Sequence, residues 1–186
     1  MEESDWSSDV CSSDLNTWFD PPKETDAATT LLNGGADVLL QNTDSSAVLQ
    51  AAEKAGKYAF GWDSDMSAYA PKAHLGSAVL NWGVYYEKVV NDVLENKWAS
   101  ATTKWGTKEG MNDFIKTPDT VPEPIRAKVD AVKAGLKDGS FAVFKGPLSD
   151  NTGKEVLAKN VVGDDAWKGG VNFYVKGVEG KPPSGK

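Results

Sequence analysis

The sequence predicts an α/β fold built on a parallel sheet. Three observations predict it. Short apolar runs alternate with helix-period segments between residues 16 and 62. The runs, such as Val38-Leu39-Leu40, are apolar at successive positions, as expected of strands covered on both faces. The connections are only a few residues long, as βαβ units with right-handed crossovers require.

The elements follow in order. Asn16-Thr17-Trp18-Phe19 reads as the end of a truncated strand. Asp20-Pro21-Pro22-Lys23-Glu24 then supplies a capping acid, prolines at the first helical positions and an acid in the first turn. The helix runs through Ala27, Ala28, Leu31 and Leu32 and stops at Gly34-Gly35. Ala36 to Gln41 is a strand, Thr43-Asp44-Ser45 offers caps for a helix over 47–55, and Lys57 to Trp62 is the next strand. A polar loop from Asp63 to His74 leads to a strand over 75–80. Gly83 to Trp98 has helical period, with Val84, Val89, Val90, Val93 and Leu94 forming an apolar stripe. Lys104-Trp105-Gly106 is a candidate strand, and 122–137 is an amphipathic helix carrying Ile125, Val129, Val132 and Leu136 on one side. Beyond it, 141–144 suggests a strand, 149–153 a turn and 172–175 a last strand before a frayed tail at 180–183.

The 186 residues are 40% hydrophobic and 25% charged, enough to bury a core. No apolar run approaches the roughly 20 residues of a spanning helix. The formal charge of −7 is concentrated at the start: five of 27 acids lie in the first 15 residues, which hold no base. The remainder is nearly neutral, with one arginine (Arg126) and no basic stripe, which argues against a nucleic-acid partner.

Those first 15 residues contain an echo, Trp6-Ser7-Ser8-Asp9-Val10 then Cys11-Ser12-Ser13-Asp14-Leu15, without a period suited to helix or strand. They are neither a signal peptide nor a lipobox. They read as a non-native leader, the in-frame translation of a sequencing-library adapter, with a disordered acidic N-terminus as the alternative. The junction at Leu15/Asn16 implies that a true N-terminal part, with any targeting signal, is missing. Residues 16–186 then read as the C-terminal part of an α/β domain, without cysteine, so no thiolate metal site or disulfide is expected.

In an open parallel sheet, ligands bind beyond the carboxyl ends of the strands. Here those ends carry Trp18, Phe19 and Asp20; Thr43 and Asp44; Asp63 and Asp65; and Asn81 with Trp82. Aromatic faces beside short polar side chains are the mixture that stacks a flat ring and holds its hydrogen-bonding groups. Asp20 and Asp44 serve equally as helix caps, and the tryptophans equally as core or lid aromatics. Asp63 is better placed for function, because loop rather than helix follows it. Catalysis finds little support: one histidine, His74, reads as a loop or strand-edge residue, and neither a nucleophile elbow nor a phosphate loop is present. An α/β enzyme acting on nucleosides or sugars, with Asp63 or Asp65 as acid or base, is the alternative.

At these same residues the chain resembles the basic membrane protein family of ABC-transporter substrate-binding proteins, a branch of the type I periplasmic binding proteins. The likeness rests on Asn16 to Pro21 with Lys23-Glu24, 34–38, Phe60 to Met66, Asn81 to Tyr86, Trp105-Gly106 with 108–111, and Asp138 to Phe141 with Gly146-Pro147. It implies a Rossmann-like lobe of such a protein, incomplete at the N-terminus and covering its second half. It implies a purine base or nucleoside held between two lobes, without cofactor or metal, by a monomer that serves a membrane permease. Trp18 or Phe19 would stack on the base, Asp63 would accept hydrogen bonds, and Asn81 would offer a contacting amide. A periplasmic or cell-surface lipoprotein is implied, its signal lost with the missing part. The helix at 83–98 would pack on the absent lobe.

Overall fold

The computed structural model describes residues 9–11, 15–178 and 180, and the statements below concern these. Most of the expected leader, 1–8 and 12–14, and the end of the expected tail, 181–183, lie outside them. The chain divides after Lys137 into two compact units.

The first unit is a five-stranded sheet in the order β1-β2-β3-β4-β5. Its strands are β1 (Asp9–Cys11), β2 (Val38–Asn42), β3 (Tyr58–Asp63), β4 (His74–Leu80) and β5 (Asn112–Ile115). Pairing is parallel from β1 through β4, and β5 runs antiparallel to β4. Helices α1 (Pro21–Asn33) and α2 (Ala47–Lys54) pack against each other, with α2 also on β2 and β3. Ala28, Leu39, Val48, Leu49, Ala52 and Ala59 are wholly inaccessible and make the core.

Helix α1 shows why the local reading works. The Asp20 carboxylate accepts from the Lys23 backbone N–H at 3.2 Å, so one of the orphan donors of the first turn is satisfied. Pro21 and Pro22 sit where a missing N–H costs nothing. At the other end Gly35 takes φ +102. That left-handed turn lets the Ala36 and Gly35 N–H groups reach back to the carbonyls of Leu31 and Leu32, both at 3.1 Å.

Helix α3 (Trp82–Leu94) and helix α4 (Glu123–Asp138) also lie close to their expected spans. Several expectations need correction. Residues 16–19 are not a strand; the edge strand is β1, inside the segment set aside as a leader, in register with Leu40, Gln41 and Asn42 of β2. Backbone pairing along an existing strand needs no apolar period, which is why the sequence pattern misses it. Lys104-Trp105-Gly106 is not a strand either. Trp105 instead meets Tyr85 edge-on at 5.7 Å, and the chain turns through 107–110 into β5, whose four residues Asn-Asp-Phe-Ile carry little pattern.

The second unit contains β6 (Leu148–Ser149) paired antiparallel with β7 (Glu155–Leu157), and α5 (Asp165–Gly169). The segment 141–144 is not a strand, because Phe144 turns onto Trp167 at 5.6 Å. Nor is 172–175, which contributes only the isolated bridge of Val175 with Asp150. The expected turn after Ser149 is present. The Asp150 carboxylate accepts the Thr152 hydroxyl at 2.6 Å and the Thr152 and Lys154 N–H groups at 2.9 Å. The Thr152 bond leads in lowering the Asp150 pKa below the ordinary carboxylate value.

Candidate site at the carboxyl edge of the parallel sheet

Strands β1 to β4 are parallel, so their carboxyl ends share one edge of the sheet. The register fixes what meets there. Asp63 closes β3 opposite Val79 on the neighbouring strand β4, two residues before Asn81. Extending the Leu39–Ala59 pairing brings Thr43 level with Asp63. The segment bearing Trp18 and Phe19 joins the same edge, because the Trp18 carbonyl accepts from the Asp44 N–H at 2.9 Å. The candidate residues of all four segments therefore gather on one side.

Their individual circumstances differ. Trp18 and Phe19 present open ring faces, each 63% exposed. Asp63 is exposed at φ +64, a left-handed conformation that Asp and Asn tolerate better than other non-glycine residues. Asp65 accepts the Ser67 N–H at 3.0 Å; hydrogen bonding from the Ser67 side chain first, and then from this N–H, holds its carboxyl below the usual pKa, with Lys116 at 3.9 Å contributing. Asn81 sits at the N-cap of α3 without a side-chain capping bond, and its N–H donates to the Met111 carbonyl at 2.7 Å. Trp82 lies over Tyr86 on its own helix, ring centroids 6.1 Å apart and 22° from parallel.

Two candidates turn out to be structural in their visible bonds. Asp20 caps α1 and pairs with Lys23 at 3.4 Å. Thr43 is wholly buried, its hydroxyl donating to Glu24 at 2.8 Å. Asp44 is exposed and is not the cap of α2; Ser46 occupies that position, while the Ser45 hydroxyl accepts from the Ala47 N–H at 3.1 Å.

Beneath the edge lies a set of buried polar groups that sequence reasoning missed. Glu24 is inaccessible at the start of α1. Gln41 donates through Nε2 to the Ser45 carbonyl at 3.4 Å and to Met66 Sδ at 3.2 Å. The Met66 N–H donates to Ser77 Oγ at 3.1 Å, which also bonds His74 Nε2 at 2.8 Å. His74 is therefore a buried residue opening β4 rather than an edge or loop residue. Burial lowers its pKa, against the opposing field of Asp65. Spacing hid this pair: His74 and Ser77 fall on opposite faces of an ideal strand, but β4 carries one extra residue between them, opposite Ala59 to Gly61 of β3, with Gly76 at φ +151 inside that bulge.

Among the described residues no cluster of His, Cys, Asp and Glu has a metal-holding arrangement, and no helix is long and apolar enough to cross a membrane. A hollow of about 240 Å³ lies elsewhere, lined by residues including Phe114, Lys116, Arg126 and Lys133. Its cations are engaged, Arg126 with Asp119 and Glu123, and Lys133 with Asp113 at 3.0 Å. That leaves the open sheet edge as the stronger candidate.

A family model described as ABC transporter substrate-binding protein PnrA-like matches residues 2–135. The chain belongs to this family. A purine-binding protein of Brucella abortus (strain 2308) is 38% identical over 169 residues, 91% of this chain and 48% of that protein. A Haloferax volcanii protein named as an ABC transporter glucose-binding protein is 26% identical over 170 residues, 91% of this chain and 41% of that one. The chain thus spans about half the length of these relatives. Among solved structures, an ABC transporter solute-binding protein from Conexibacter woesei DSM 14684 aligns with TM-score 0.54 and 22% identity, over 68% of this chain and 43% of that one. That likeness supports the periplasmic-binding-protein fold of this family member.

Proposed function

We propose that this family member captures a purine base or nucleoside for an ABC transporter, binding it at the carboxyl edge of the sheet and releasing it unchanged to a permease. One observation carries the reading. Open aromatic faces, Trp18 and Phe19, share an edge with the exposed acceptor Asp63 and the uncapped amide of Asn81. Stacking on a flat ring supplies affinity, and an acceptor-only carboxylate beside a carboxamide selects ring N–H groups or ribose hydroxyls. The 38% identity to a purine-binding protein points to the same ligand class. Ligand would be held by closure of two lobes about a hinge, a movement known for periplasmic binding proteins. The working place is the periplasm or cell surface, with a lipid anchor in the complete protein.

The test is thermal shift and tryptophan fluorescence of this chain with adenine, hypoxanthine, adenosine, inosine and, as a sugar control, glucose. Saturable stabilisation by purines and none by glucose is expected, following RT ln(1 + [L]/Kd). Stabilisation by glucose alone would transfer the chain to the sugar-binding branch. Recovery of altered ligand on a chromatogram would favour the enzymatic alternative at Asp63 and Asp65. Asp63→Asn keeps the left-handed backbone accessible while replacing one acceptor by a donor. It should weaken purine binding about tenfold or more, the order expected when one charged hydrogen bond is lost; unchanged affinity would remove Asp63 from the site.

A further inference from the structure

One buried carboxylate at the candidate edge has no task in the reading above. An acid in the first turn of a helix ordinarily faces water, where the helix dipole favours it. Glu24 is instead wholly buried, and a carboxylate survives there only where hydrogen bonds replace its lost hydration.

Its hydrogen bonds are specific in where they lead. Oε1 accepts the Asp20 backbone N–H at 3.0 Å. Oε2 accepts the Thr43 hydroxyl at 2.8 Å and the Ser45 hydroxyl at 2.5 Å. Asp20 directly follows Trp18-Phe19, and Thr43 to Ser45 directly follows β2. A single carboxylate therefore ties the aromatic segment to the strand-end segment. The Asp44-to-Trp18 backbone bond at 2.9 Å closes the same joint from outside. From Ser45 the chain of contacts continues through Gln41 to Met66, and from Met66 to Ser77 on β4, reaching beneath the Asp63–Asp65 loop.

We propose that Glu24 is a positioning residue: without touching ligand, it clamps the Trp18-Phe19 segment to the end of β2 and so sets where the stacking rings stand. What those rings hold rests on the purine reading; the clamp itself does not. Thr43 consequently works through Glu24 rather than as a ligand contact, because its only hydroxyl proton is committed.

The experiment pairs two readouts on one set of variants. The first is amide hydrogen exchange at Asp20 and Asp44, with the Tyr58 amide at the opposite end of β3 as reference. The second is purine affinity of the same samples. Glu24→Ala should raise exchange at Asp20 and Asp44 by about tenfold over Tyr58 and weaken binding by a similar factor, since buried donors lose their acceptor. Glu24→Gln can still accept from Asp20 and donate to the two hydroxyl oxygens, so it should restore most of both. If Glu24→Ala does not fold, Thr43→Val and Ser45→Ala each remove one donor and should give smaller changes in the same direction. A rise shared equally by Tyr58 means that Glu24 only adds global stability, and the proposal fails. It fails too if exchange rises locally while affinity of a purine-binding chain is unmoved, or if no folded variant changes exchange at all. A wild-type chain that binds no purine overturns the functional reading instead, while exchange at Asp20 and Asp44 still decides the clamp.

Discussion

Helices α2 and α3 are equally clear in the sequence and have opposite fates. Helix α2 buries Ala47, Val48, Leu49 and Ala52 against β2, β3 and α1. Helix α3 buries no residue: Tyr86 is 60% exposed, Val90 57% and Leu94 73%. Both have an apolar face at helical period, so the period predicts the helix and not the burial. Burial is decided by whether another element presents a matching face, which is a property of the rest of the chain. The contrast matches a chain that spans about half the length of its relatives.

The largest expected effect breaks the comparison open. Leu49→Ala should cost about 2–5 kcal/mol in urea unfolding, as for other fully buried leucines, whereas Leu94→Ala should fall within about 0.5 kcal/mol of wild type. Equal losses would mean that α3 is covered in solution. Next is Gly61→Ala, which probes how tightly the packed side is built. A Cβ there would stand 2.3 Å from Ser77 Oγ and 2.9 Å from Met66 Cβ. A loss of about 1–3 kcal/mol is expected, the usual cost of overpacking, and a neutral result would show that the β3–β4 joint can spread.

The smallest effect concerns His74. Burial holds its pKa below the ordinary value, so the folded protein binds fewer protons than the unfolded chain as pH falls below about 6.5. Stability therefore rises with pH across that window and is lost as pH drops through the folded-state pKa. His74→Gln should flatten the profile of unfolding free energy against pH below about 6.5 by less than about 1.4 kcal/mol per unit, the ceiling for one group. An unchanged slope would assign it to other groups.

The legible part of the fold is the part written in local chemistry. Asp20-Pro21-Pro22 and Gly34-Gly35 bracket α1 because a cap, two prolines without N–H donors and a left-handed glycine act on their own neighbours. Strand β5 was not legible, since its four half-exposed residues owe their pairing to β4. At the candidate site the sequence exposed the polar and aromatic residues at the strand ends, and parallel topology then places them on one edge. It did not reveal Glu24, because an acid in a first turn looks the same whether it meets water or two buried hydroxyls 19 and 21 residues away. Nor did it show the partner of Thr43, a hydroxyl beyond a strand end that is buried and donates to Glu24.

Asp63 carries a further consequence through its backbone. At φ +64, side chains other than asparagine, aspartate and glycine are strained. This corner thus favours an anion, a neutral amide or no side chain, although Lys116 holds a similar φ of +60 elsewhere in the chain. If Asp63 meets ligand as proposed, selectivity at this corner shifts most readily by toggling charge or deleting the group, and changes of bulk or reach fall to positions such as Trp18 and Phe19.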